Sequence, residues 1–303
     1  MKRWSACALA ATLTFSATTP AMAANPMTLK DYMALSGPNP SAHLAYGSAP
    51  SQYVELFVPP GAGPFPVVVL LHGGCWVEEF QGIVQMRNLA GALLQQGIAV
   101  WNVEYRRIDE DGGGYPGTYQ DAAAAFELLI AEASARHLDS NRLVVMGHSA
   151  GGHLAQWLAS RRQLPATSPL FKADAFPIRN VIALGSIGDL RRRTTTLREV
   201  CGVDVVKLTG RPSAARSDVY ADTSPAELMP NGSHTVLING ALDHVSPPQT
   251  ALDYAARARR MGDTVETIIV PQASHFDEVS ASSPAWAVIL PMVQRAVGYK
   301  LVD

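Results

Sequence analysis

Five residues, Gly147-His148-Ser149-Ala150-Gly151, follow directly on the apolar run Leu143-Val144-Val145-Met146 and lead into a helix-compatible stretch that begins near Gly152. A strand that turns abruptly into a helix around a serine is a demanding local geometry. The serine must occupy a strained backbone conformation, and the flanking glycines let neighbouring backbone pack where a side chain would collide. The pattern G-x-S-x-G carries weight only in this strand–turn–helix setting, which the sequence supplies. The amides at the start of the helix then face any negative charge that develops beside the serine hydroxyl. Ser149 is therefore the candidate nucleophile, and the chain must supply a sheet whose strand end presents it.

The rest of the sequence is consistent with such a sheet. Apolar runs recur at Tyr53–Val58, Val67–Leu71, Ile98–Val103, Leu143–Met146, Val181–Leu184, Thr235–Ile238 and Val265–Val270. Val67-Val68-Val69-Leu70-Leu71 is continuous and β-branched, as expected of a strand covered on both faces. Helical stretches alternate with these runs at Val84–Gln96, Tyr119–His137, Gly151–Arg162, Pro248–Met261 and Pro284–Val297. Repeated βα units predict an α/β fold with a mostly parallel central sheet flanked by helices. From Ser186 to about Pro230 no strand is evident, and a connection of that length predicts a small cap insertion over the site. Hydrophobic residues at 48% and charged residues at 17% suit one well-buried domain.

Lys2-Arg3, an apolar stretch from about Ala6 to Ala17, and Ala21-Met22-Ala23 form the pattern of an export signal cleaved after Ala23. The expectation is a signal peptide over 1–23, a catalytic domain over 24–303, and a periplasmic or secreted product. The apolar stretch is too short for a permanent membrane span, so no integral membrane segment is expected after its removal. Lys and Arg total 24 against 26 acids, with no basic run beyond three residues, which argues against a nucleic-acid partner. Cys75 and Cys201 are left once the signal is gone; they form either one disulfide or two buried thiols.

His72-Gly73-Gly74-Cys75-Trp76 follows the strand Val67–Leu71. A loop in that position donates backbone amides to an oxyanion hole, and the amides of Gly74 and Cys75 join that of Ala150 as candidate donors. His72 reads as a structural residue of that loop. A serine hydroxyl needs a base, and the base needs an acid to orient it. Of the histidines after Ser149, His153 packs along the following helix and His234 precedes a strand. His275, in the loop after the last strand, is the candidate base. Asp243, just past the strand Thr235–Ile238, is the candidate acid, with Asp189 as competitor and Asp277 too near His275 in sequence. Arg106 is expected to pair with Asp121 rather than bind a substrate carboxylate, and Arg191-Arg192-Arg193 to be a solvated surface. Asn231-Gly232-Ser233 matches a glycosylation acceptor. No His, Cys or acid cluster has metal-ligand spacing, so no cofactor and no metal is expected.

With these motifs the chain resembles the α/β-hydrolase superfamily, and within it the esterase/kynurenine formamidase group, over nearly the whole mature length. The likeness rests on His72-Gly73-Gly74-x-Trp76, Gly147-His148-Ser149-Ala150-Gly151 and His275-Phe276-Asp277, with Tyr105-Arg106 and Ser224-Pro225 as further elements. It implies an α/β-hydrolase fold with Ser149, Asp243 and His275 as nucleophile, acid and base. Cys75 stands where formamidases usually carry an aromatic residue, and that group is typically cytosolic. Taken with the export signal, the resemblance implies a serine hydrolase of carboxylic esters acting through an acyl-enzyme, with arylformamidase-like cleavage of N-formylkynurenine or another small amide as the alternative.

Overall fold

A computed structural model describes residues 25–299; the expected signal peptide lies outside them. Eight strands form a single sheet: β1 Ala42–Ala45, β2 Tyr53–Phe57, β3 Phe65–Leu71, β4 Ala99–Val103, β5 Leu138–His148, β6 Asn180–Leu184, β7 His234–Gly240 and β8 Thr264–Val270. Their order is β1-β2-β4-β3-β5-β6-β7-β8. The pairs from β4 through β8 are parallel, while β1 and β2 add an antiparallel edge. The helices are α1 Leu29–Met33, α2 Ile83–Leu94, α3 Gly117–Glu132, α4 Ala150–Ala159, α5 Leu190–Cys201, α6 Val205–Thr209, α7 Pro248–Arg260 and α8 Trp286–Ala296.

The continuous apolar runs are resolved by the pleat. Val67, Val69 and Leu71 of β3, with Leu143 and Val145 of β5, point into one core with α3 and α4. Val68, Leu70, Val144 and Met146 point into the opposite core with α2 and α8. Successive strand side chains alternate faces, so a strand sandwiched between helix layers must be apolar at every position. Each such side chain, fully removed from water, contributes ~1.5–3 kcal/mol. The edge strand β1 shows the opposite: its four residues alternate between half-buried and exposed, which is why it leaves no apolar run to read.

The segment between β6 and β7 carries α5 and α6, and its residues reach back onto the α3–α4 layer. His153 of α4 is fully buried there, edge-on to Trp76 and Tyr119, with Nε2–H donating to the Thr223 carbonyl at 2.8 Å. Burial holds this imidazole down to about 4. The run Arg191-Arg192-Arg193 differs from the expected solvated surface. Arg191 pairs with Asp218 and stacks on Tyr220, whereas Arg193 is half-buried and donates to the Val245 carbonyl at 3.4 Å. Two residues apart on a helix are about 200° apart around its axis, so the run cannot share one face. Asn231 spends its amide on Ser160 Oγ and its carbonyl on the Ser233 amide. Among the described residues no helix is long and apolar enough to cross a membrane.

The lowered His153 value has a defined consequence. Between its unfolded value of about 6.5 and its folded value of about 4, the unfolded chain binds the extra proton, so stability falls as pH falls. Removing the titrating ring by His153→Gln is expected to flatten up to about 3 kcal/mol of that decline, read from urea unfolding at pH 7 and pH 4.5. An unchanged pH slope in the variant would contradict this assignment.

Candidate active site

Ser149 stands between β5 and α4 with φ 53° and ψ −115°, in the left-handed half of backbone space. A non-glycine residue there carries ~1–3 kcal/mol of strain and persists only where its surroundings impose it. Three contacts do so. The Ser149 amide donates to the Leu184 carbonyl at the end of β6 at 2.8 Å, and its carbonyl accepts from the His153 amide at 3.0 Å. Gly151 lets the start of α4 rest on the backbone at Leu71 and His72, where any Cβ would collide. The Ser149 N–H is taken by Leu184, and Ala150 follows in the first turn of α4, where an amide has no partner within the helix.

The loop after β3 is strained in the same sense. Gly74, Cys75 and Trp76 have φ of 102°, 51° and 55°. It is held from several sides. Trp76 is fully buried; its carbonyl accepts from the Ile108 amide at 2.8 Å and that of Gly74 from Val77 at 2.9 Å. His72 is stacked on Tyr105 with ring centroids 4.2 Å apart, its Nε2 lies 2.8 Å from Glu104 Oε1, and Tyr105 Oη–H donates to the His72 carbonyl at 2.8 Å. His72 is thus committed to shaping the loop. Cys75 is joined by a disulfide to Cys201, the last residue of α5, with Cα atoms 5.7 Å apart. That bond ties the loop to the β6–β7 segment.

His275 lies in the loop after β8 and Asp243 in the loop after β7. The His275 Nδ1–H donates to Asp243 Oδ2 at 2.8 Å. Asp243 Oδ1 accepts the amides of Val245 and Ser246 at 2.8 and 2.7 Å. A carboxylate that receives three N–H donors while buried is held in one orientation, and it holds the imidazole in the tautomer that presents Nε2 outward. The competing acids are occupied elsewhere. Asp189 caps α5 by accepting from the Arg192 amide at 3.1 Å, and Asp277 accepts from Met27 and Ser274 at 3.0 and 2.8 Å. Arg106 makes a two-pronged pair with Asp121, both contacts at 2.8 Å.

One cleft of about 510 Å³, open mouth included, brings Ser149, His275, Gly74, Cys75 and His148 together. Its walls are Leu29 and Tyr32 of α1 with Phe80, Val200, Val245 and Phe276. The contribution of α1 has no signal in the apolar pattern. It is locked on through the Met27 amide on Asp277 and the Ser274 hydroxyl donating to the Met27 carbonyl at 2.7 Å. His148 is buried against His275, ring centroids 4.4 Å apart, and burial drives its imidazole well below the ordinary range.

A mostly parallel sheet with helices on both faces, a strained serine between a strand and a helix, and a paired histidine and acid on later loops at the same sheet end define an α/β-hydrolase. The chain belongs to the BD-FAE family, whose model matches residues 54–257, about two thirds of its length. That span includes Ser149 and Asp243 and ends before His275. Esterase LipC of Mycobacterium tuberculosis is 26% identical over 270 residues, covering 83% of this chain and 64% of that protein. A probable isoprenylcysteine alpha-carbonyl methylesterase of Arabidopsis thaliana is 31% identical over 113 residues, 37% of this chain and 26% of that protein. The chain thus spans less than two thirds of the length of these relatives. Among solved structures, esterase B from Lactobacillus rhamnosis superposes with a TM-score of 0.72 at 20% identity, covering 88% of this chain and 89% of that one.

Gly185, with φ 49°, backs the His275 ring: an added Cβ would collide with Glu278 Oε2 and lie 2.8 Å from His275 Nδ1. Gly185→Ala is therefore expected to lower stability by about 1–3 kcal/mol in urea unfolding. A variant as stable as the parent would show that this approach is not as close as described.

Proposed function

We propose that this protein is an exported serine carboxylesterase that works through a Ser149–His275–Asp243 triad and an acyl-enzyme. The observation that carries the reading is the convergence of the Ser149 turn and the His275–Asp243 pair on one cleft. In the mechanism, His275 Nε2 takes the hydroxyl proton as Ser149 Oγ attacks the ester carbonyl. The amides of Ala150, Gly74 and Cys75 hold the oxyanion of the tetrahedral intermediate; each fixed donor of this kind is worth ~3 kcal/mol to the transition state. The imidazolium, paired with Asp243, then gives its proton to the departing alcohol. Water attacks the acyl-enzyme with His275 as base, and the acid leaves as Ser149 regains its proton.

The walls bear on the substrate. Among the described residues, apart from the histidines, no ionisable group but the Tyr32 phenol lines the cleft, and Arg106 is paired with Asp121. A charged acyl group would be desolvated there without a partner, so small uncharged acyl groups are the proposed substrates. The export reading is supported by the charged, apolar and small-residue order of the first 23 residues, and a disulfide suits an oxidising compartment.

The test is a panel of p-nitrophenyl esters beside N-formylkynurenine on the purified protein. Uncharged short-chain esters are expected to be cleaved, an ester with a carboxylate on its acyl group at least about tenfold less well, and Ser149→Ala to lose about 10⁴-fold or more in kcat/KM. Activity that survives Ser149→Ala would overturn the mechanism, and a strong preference for the formamide would turn the reading to an amidase.

A further inference from the structure

Behind His275 lies a carboxyl group that this mechanism leaves unused. Glu278 follows three residues on, in the single turn Asp277–Val279, and is fully buried. Its Oε1 accepts the Gly240 amide at 2.6 Å. Its Oε2 has no donor among the described residues and lies beside the Asp243–His275 pair: a Cβ on Gly185 would collide with that oxygen and lie 2.8 Å from His275 Nδ1, the nitrogen that donates to the Asp243 carboxylate. Both groups are acceptors when ionised, so they share a hydrogen bond only if one carries a proton.

The surroundings decide which one. Asp243 receives three N–H donors, two from backbone and one from His275, and is engaged on both oxygens as an acceptor. Glu278 receives one. The other charged and titratable groups facing this cluster come from separate elements. His148, at the end of β5, has Nε2 3.9 Å from Glu278 Oε2 but directs its N–H to the His275 carbonyl at 3.0 Å. Asp277, beside Glu278, adds negative charge, and Arg193 of α5 acts on Asp243. Burial first, and then the charge of Asp243, raise the Glu278 carboxyl well above the ordinary carboxylate range. His148, His275 and Glu278 do bring donor atoms within 4.8 Å of one another.

On the reading of the site given above, we propose that Glu278 is a positioning residue. It is a neutral carboxylic acid whose O–H donates to the Asp243 carboxylate, steadies the Asp243–His275 pair, and confines the buried cluster to one negative charge. A single carboxylate stabilises the imidazolium that forms as Ser149 is deprotonated. A second one, unscreened at this depth, would hold the proton on His275 and push the active range to higher pH.

Glu278→Gln separates this role from packing, because the amide keeps the shape and an N–H donor while removing any charge. Infrared spectra of the resting protein at neutral pH are expected to show a protonated-carboxyl band that is absent from Glu278→Gln. Glu278→Leu is expected to lose about 100-fold in kcat with KM nearly unchanged, and Glu278→Gln to recover most of that loss. The acid limb of kcat/KM in Glu278→Gln should stay within about 0.3 pH of the parent. An acid limb displaced downward by about one pH or more would show that a negative charge had been removed and would overturn the proposal; so would a parent protein lacking the carboxyl band. If Glu278→Leu does not fold, the band and the Glu278→Gln acid limb still decide. If the parent cleaves no ester, the esterase reading fails, and the infrared comparison still settles where the proton resides.

Discussion

The structure hinges on a backbone conformation that Ser149 would not adopt by itself. Its positive φ is imposed by the hydrogen bond to Leu184 at the end of β6 and by the close seating of α4 on the end of β3. Both contacts need the register of β3, β5 and β6 to be correct, and that register follows from side chains that fill two cores at once. The loop after β3 repeats the arrangement: three consecutive positive φ values are held by Trp76, Tyr105 and the Cys75–Cys201 bond. Strain of this size persists only on a rigid scaffold.

Charge is rationed beneath the cleft with the same economy. His72, His148, Asp243, His275 and Glu278 are among the ionisable side chains buried around it. His72 is turned to Glu104, and burial holds His148 neutral. The negative charge on Asp243 is matched to His275 by backbone amides that fix its orientation. A base that must gain and lose a proton in each cycle works best where its surroundings change little as it does so.

Much of this was legible in the sequence, and the rest was hidden for physical reasons. Parallel strands buried on both faces read as apolar runs, so β3 to β7 stand out, whereas β1, at an exposed edge, does not. Ser149, Gly74, Cys75 and Ala150 sit in local motifs whose geometry is short-range, and chain order together with a position just past a strand pointed to Asp243 and His275. The meeting of Cys75 with Cys201 depends on how the β6–β7 segment folds back, which no local pattern encodes. Tyr32 enters the cleft from a five-residue helix with no apolar periodicity. Glu278 looks like any charged residue on a loop, and only burial beside a second carboxyl marks it. Arg193 was misread as solvated for the same reason, because the helix that turns it inward is not evident in a polar stretch.

The central claim is that Ser149 becomes acylated, and it is best tested by trapping that state. The protein mixed with p-nitrophenyl acetate and quenched in acid within the first turnovers should carry one acetyl group, mapped by mass spectrometry to the peptide containing Ser149. The adduct should be lost in Ser149→Ala and form far more slowly in His275→Ala. Ester cleavage with no adduct on Ser149, or an adduct elsewhere, would contradict the account.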